Sequence, residues 1–174
     1  MLTIFLISGP LGVGKTTLTR RLASHRKAAL IDGDSLFAPL ENVANLNWDD
    51  RLQLTWQNIL SITRRYLKKD MDVVIDFVVE DELEWFYEEL TQFAETNNVD
   101  FDMQYLVLMT DPKTLIERLN MLGDGKLLHR SLSLLTKLSN DPKNDPYICH
   151  TTGRSPAELV SISMLEKFQY PPKK

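Results

Sequence analysis

Gly9, Gly14, Lys15 and Thr16 stand in the order G-x-x-x-x-G-K-[ST] within residues 7–17, Ile-Ser-Gly-Pro-Leu-Gly-Val-Gly-Lys-Thr-Thr, and Gly12 adds a third glycine. These residue types suit a polyphosphate. Glycines let backbone N–H groups turn inward and approach an anion with no Cβ in the way. The first amides of a following helix add fixed positive partial charge. Lys15 brings a mobile full charge for the β- and γ-phosphates, and the Thr16 hydroxyl can ligate Mg²⁺. Gly9, Gly12, Val13, Gly14, Lys15, Thr16 and Thr17 are therefore the expected nucleotide-binding residues. A chance meeting of glycines and a lysine in a surface turn is the alternative.

Phosphoryl transfer also needs a metal, a positioned nucleophile and cations around the moving group. Asp76 ends the apolar run Val73-Val74-Ile75, so a strand would deliver one acid to a sheet edge, where it can hold phosphate-bound Mg²⁺. Capping the next helix is its other possible job. Asp32 and Asp34 flank Gly33; in an extended chain both would point to one side, one toward a metal and one toward an acceptor hydroxyl. Plain turn chemistry is the alternative, because Asp-Gly is a common turn pair. Arg118 and Arg130 flank Gly123-Asp124-Gly125, which suits a lid closing on the triphosphate over about residues 118–130. A solvated helix face with paired arginines is equally compatible. Lys126 and His129 are weaker candidates for the lid. Trp48 and Trp56 lie where a flap over about residues 35–70 can cover an acceptor, although most tryptophans simply pack.

The flanking elements decide for the phosphate loop. Residues 2–7 form a β-branched and aromatic run of strand length, and Leu18 and Leu22 recur at helical spacing beyond Thr16. Further apolar runs at 28–31, 72–79, 101–109 and 147–150 predict four more strands. Helices are expected from Asp49 or Asp50 to about residue 67, and over 80–97, 111 to about 123, 127–138 and 155 to about 168. Asp111-Pro112 and the box Ser155-Pro156-Ala157-Glu158 mark two of their starts. Residues 35–48 show no clear period and read as mostly irregular, and the chain ends in a tail from Tyr170. Strands separated by helices imply an α/β fold: a five-stranded parallel sheet with helices on both faces and a ligand crevice at the strands' carboxyl ends.

The chain has 174 residues, which suits one domain. Its net charge is −4 with no Lys/Arg cluster, which disfavours nucleic acid as a partner. The single cysteine, Cys149, sits in an apolar stretch and reads as a core residue; no intrachain disulfide is possible. Neither a signal peptide nor a membrane span is expected, and the expectation is a cytoplasmic monomer or homodimer.

With these residues assembled, the sequence resembles the P-loop small-molecule kinases: nucleotide, shikimate, adenylylsulfate and gluconate kinases. The resemblance covers nearly the whole chain and is carried by residues 9–17, by Asp32-Gly33-Asp34, and by 54–59 followed by Val73-Val74-Ile75-Asp76. It implies a three-layer P-loop NTPase fold with strand order 2-3-1-4-5 and ATP–Mg²⁺ as donor. It also implies Asp32 as the metal-side acid, Asp34 as the acceptor-side base, Asp76 as the acid ending the third strand, and Arg154 in the segment against adenine. Two departures stand out. Arg118 is followed one turn on by Met121 and Leu122 rather than a second arginine, which leaves that job to Arg130. Asp76 is followed by Phe77-Val78-Val79 rather than Gly-Phe-Pro-Arg, which argues against a nucleoside monophosphate acceptor.

The expected activity is transfer of the γ-phosphate of ATP to a hydroxyl of a small molecule: a sugar acid, a nucleoside or an antibiotic. Lys15, Asp34, Arg118 and Arg130 are its expected catalytic residues, and Thr16, Asp32 and Asp76 its metal-side groups. A regulatory nucleotide-binding protein with weak ATPase activity is the alternative.

Overall fold

β1 (Leu2–Ser8), β3 (Val73–Asp76) and β4 (Phe101–Met109) occupy the middle of the sheet, and each is a nearly unbroken apolar run. Parallel strands covered by helices on both faces require such runs. β2 (Ala29–Asp32) and β5 (Ile148–His150) flank them in the order β2-β3-β1-β4-β5, all parallel, as the resemblance implied. The structure, a computed structural model, describes residues 1–123 and 125–172. Asp124 of the expected hinge and Lys173 and Lys174 of the tail lie outside the described residues.

Each sheet face has its own core. On one, Ile4, Leu6, Val73 and Ile75 pack under α3 (Trp48–Leu67), α4 (Leu83–Asn97), α5 (Pro112–Met121) and α6 (Leu128–Asn140). On the other, Phe5, Ile7, Val74 and Leu106 pack against α1 (Lys15–Arg26) and α7 (Pro156–Ser163). Ile7 pairs with Asp76, and Asp76 with Asp32, so three strands end at one level. That alignment makes the site possible. Among the described residues no helix is long and apolar enough to cross a membrane.

The structure departs from sequence expectation at several places, one of them the end of α7, which stops at Ser163 rather than near residue 168. Residues 35–48 are irregular over 41–47 only: the chain turns at Gly33 into the short helix α2 (Gly33–Phe37), with Asp32 as its cap, and a single 3-10 turn follows over Ala38–Leu40. α3 begins at Trp48 rather than Asp49 or Asp50, because Asn47 and Asp50 cap each other's backbone N–H groups. α4 begins at Leu83, since the Glu82 carboxylate folds back to accept the N–H groups of Glu80 and Asp81. The chain after α7 is no loose tail. β6 (Gln169–Tyr170) pairs antiparallel with Met103 and Gln104, so the described sheet has six strands instead of five. Phe168, 1% exposed, anchors that segment in the core, and Tyr170 packs edge-on against Tyr87 and Tyr105.

Candidate active site

The loop between β1 and α1 has the backbone its glycines foretell. Gly9, Gly12 and Gly14 take φ values of 137°, 85° and 105°, in the left-handed region that side chains disfavour. At Gly9 a Cβ would also lie 2.5 Å from the Leu108 carbonyl oxygen of β4. Lys15, 8% exposed, donates from Nζ to the carbonyls of Gly9 (2.7 Å) and Pro10 (3.1 Å). Burial lowers its pKa; the carboxylates of Asp76 and Asp34 oppose that shift.

Asp76 is 5% exposed and accepts from Thr19 Oγ1 at 3.0 Å, with the Thr16 hydroxyl as a second donor. Burial pushes its carboxyl up, against the pull of Lys15 and both threonines. Asp34 is also raised by burial, with Lys15 opposing and Asp32 and Glu41 adding to the shift. Lys15 and Asp76 therefore form a buried pair in which burial works against both charges, with Asp34 beside them at the exposed rim.

The expected acid pair is split. The chain leaves the extended conformation at Gly33, so Asp32 and Asp34 do not share a side. Asp32 is exposed, and its two carboxylate oxygens accept from Ser35 N (3.2 Å) and Ser35 Oγ (2.7 Å). Asp34, also exposed, sits in the first turn of α2 and joins the loop residues in lining a cavity of about 590 Å³. Gly12, Val13, Gly14, Thr16, Thr17, Arg118 and Arg154 line the same cavity.

The two arginines also part. Arg118 Nη1 donates to the Val13 carbonyl at 3.1 Å and reaches that of Gly12 at 3.5 Å, so α5 is tied to the phosphate loop. Arg130 does not line that cavity. Its Nη2 lies 3.3 Å from Glu80 Oε2 and its guanidinium stacks 4.7 Å from the centre of the Trp48 ring. Trp48 in turn rests on Phe37 of α2, with ring centres 5.0 Å apart. Trp56 is a core residue, 1% exposed, set edge-on between Phe77 and Phe86.

Three participants escaped the sequence reading, and Thr151, which lies in the expected adenine-side segment with Arg154, is a fourth whose contact to the phosphate loop was not foreseen. Thr19 holds Asp76, Ser8 Oγ accepts the Val79 N–H at 2.8 Å, and Thr151 Oγ1 donates to the Val13 carbonyl at 3.1 Å. Glu80 receives both Arg130 and Lys137. Only Thr19 left a signal, as it follows Thr16 by three on one face of α1.

Fold and loop together define a P-loop NTPase domain. The family described as an AAA domain matches residues 4–121, and the chain belongs to that family. The tunicamycin resistance protein of Deinococcus radiodurans has a similar structure, with a TM-score of 0.65 at 15% identity over 94% of each chain. A gluconokinase from Sinorhizobium meliloti 1021 superposes with a TM-score of 0.58 at 19% identity, over 92% of this chain and 89% of that one. A shikimate kinase from Bacteroides thetaiotaomicron gives 0.56 at 20% identity, over 92% and 95%. At these identities the likeness establishes the fold. No curated protein matches the chain in sequence.

Proposed function

We propose that this protein is an ATP-dependent kinase that phosphorylates a hydroxyl of a small molecule. The observation that carries the reading is the convergence of Lys15, Asp34 and Asp76, from the starts of α1 and α2 and the end of β3, beside a glycine cradle. Fold similarity to a gluconokinase and a shikimate kinase supports the same class.

The residues present fit ATP and Mg²⁺. The glycine loop has the left-handed backbone that lets N–H groups turn toward an anion, and Lys15 donates to two carbonyl oxygens that an anion would outcompete. Asp76 and Thr16 present oxygen atoms side by side, the donor type that a hard cation prefers. Among the described residues no three His, Cys, Asp or Glu side chains gather to hold a metal, so the remaining ligands would be phosphate and water oxygens. Bound ATP supplies the phosphoryl group and its leaving ADP.

The chain's own groups do the rest. Lys15 and Arg118 balance phosphate charge, Asp76 and Thr16 hold the metal side, and Thr17 and Arg154 border the nucleotide. Asp34 accepts the proton from the acceptor hydroxyl. Asp32, with both oxygens occupied by Ser35, positions α2 and thereby Asp34. Catalysis of this kind rests on placement and charge rather than covalent chemistry.

ADP release measured with and without a panel of small alcohols tests the proposal. Slow hydrolysis alone and faster release with an acceptor is the expected result. Stimulation by a protein partner and by no small alcohol would favour the regulatory reading instead.

A further inference from the structure

Arg130 and Trp48 stand outside the nucleotide cavity, yet they meet each other and the helix that carries Asp34. Four side chains from four segments form a line. Glu80, between Asp76 and the start of α4, accepts from Arg130 of α6 at 3.3 Å. The Arg130 guanidinium lies over the ring of Trp48, the first residue of α3, 4.7 Å from its centre. Trp48 lies against Phe37, the last residue of α2, with ring centres 5.0 Å apart. Asp34 is in the first turn of that same helix.

So short a helix cannot hold its own place. Isolated helices under about 12–15 residues are marginal in water, and α2 has five. Its first end is fixed by the Asp32 cap and by Gly33 against Phe77. Its other end depends on Phe37 and on what keeps Trp48 over it. Trp48 is 46% exposed, so packing alone does not immobilise it. A guanidinium over an indole face is attracted by the ring quadrupole, and Glu80 sets the direction of that guanidinium. A partly exposed ion pair such as Arg130–Glu80 adds little stability by itself. Its consequence is geometric.

We propose that Arg130 and Trp48 are positioning residues: together they clamp the far end of α2 and so set where Asp34 meets the acceptor hydroxyl. The assignment rests on the kinase reading above and deepens it. It also takes Arg130 away from the phosphates. Its guanidinium is committed to Glu80 and Trp48, whereas Arg118 lines the nucleotide cavity. The line runs from the segment after Asp76 to the helix bearing Asp34, so it places the two acids relative to each other.

Hydrogen exchange over residues 33–40, read by mass spectrometry on the chain without ligand, tests the clamp with no acceptor needed. Trp48→Leu and Arg130→Ala should each speed that exchange. The double variant should add little to either, as expected when two side chains act through one contact. Trp48→Phe keeps a ring for both neighbours and should restore most of the protection. Lys137→Ala removes the other cation on Glu80, leaves the rings in place, and should leave exchange unchanged. Turnover is read as ADP release from Mg–ATP with the panel of small alcohols. There Arg130→Ala and Trp48→Leu should lower kcat about tenfold at unchanged KM for ATP, because a catalytic group displaced by about 1 Å or less suffices for such a loss.

Equal exchange in the native chain, Trp48→Leu and Arg130→Ala overturns the clamp, whatever turnover does. Faster exchange with kcat unchanged overturns the link to Asp34. A raised KM for ATP in Arg130→Ala with exchange unchanged returns Arg130 to the phosphates and overturns the proposal. Faster exchange in the variants of a chain that releases no ADP with any alcohol supports the clamp and overturns the kinase reading.

Discussion

Asp34 lines the cavity beside the phosphate loop, and under the proposed function its carboxyl is the one expected to move a proton. Asp34→Asn should lower transfer by about 10²-fold or more while sparing ATP affinity, as read by ADP release and by nucleotide titration. If transfer survives, the base is Asp76. Because burial raises the Asp34 carboxyl, the acid limb of the rate profile should lie above its ordinary value of 3.8. Stability carries the same sign. A folded-state value above the unfolded one contributes stability that is complete below the unfolded value and is lost as pH rises through the folded one. Asp34→Asn should therefore leave Tm unchanged in strong acid and raise it near neutral pH, in matched thermal melts. Lys15→Ala removes a charge-assisted contact to phosphate and should weaken ATP binding by about ten- to a hundredfold.

At the scale of elements, α2 is the part that matters most and the one least visible in advance. It has five residues, begins at Gly33 and carries Asp34 in its first turn. A Cβ at Gly33 would fall 2.4 Å from the Phe77 ring, which is itself wedged against Trp56. Gly33→Ala should cost about 1–3 kcal/mol in urea unfolding and should also lower kcat, because Asp34 must move with its helix. The long elements were easier to read. Asp111 caps α5, and Ser155 and Glu158 form the capping box of α7, both as their residue types foretold. β6 was missed because two residues carry no periodicity; its place comes from Phe168 and Tyr170 finding aromatic partners.

At the scale of the whole molecule, the carboxyl ends of β1, β2 and β3 bring charge together before any ligand arrives. An assembly in which burial opposes both Lys15 and Asp76 should gain from whatever neutralises it. Mg–ATP at a hundred times its Kd stabilises the folded chain by about 2.7 kcal/mol, which for this length is roughly 5–10 °C in Tm. Scanning calorimetry should show that rise in the native chain and a much smaller one in Lys15→Ala at the same ATP concentration. Phe168→Ala should cost about 3–5 kcal/mol without changing nucleotide affinity, since Phe168 closes the core far along the chain from the loop.

The phosphate loop, the parallel sheet and most helices were legible in the sequence because each is written within one short window. Glycine spacing, an unbroken apolar run and a cap three residues from its partner all act locally. The division of labour among like residues was not legible. Asp32 and Asp34 look equivalent until Gly33 bends the chain, and Arg118 and Arg130 until α5 and α6 take different neighbours. Glu80 meets Arg130 across 50 residues, and Thr19 meets Asp76 across 57. Such meetings depend on which strands lie side by side and where they end, and burial then decides which charges are held under strain. The loop's residues pointed to a phosphate; the place of Asp34 beside that loop exists only once the chain turns at Gly33 into α2.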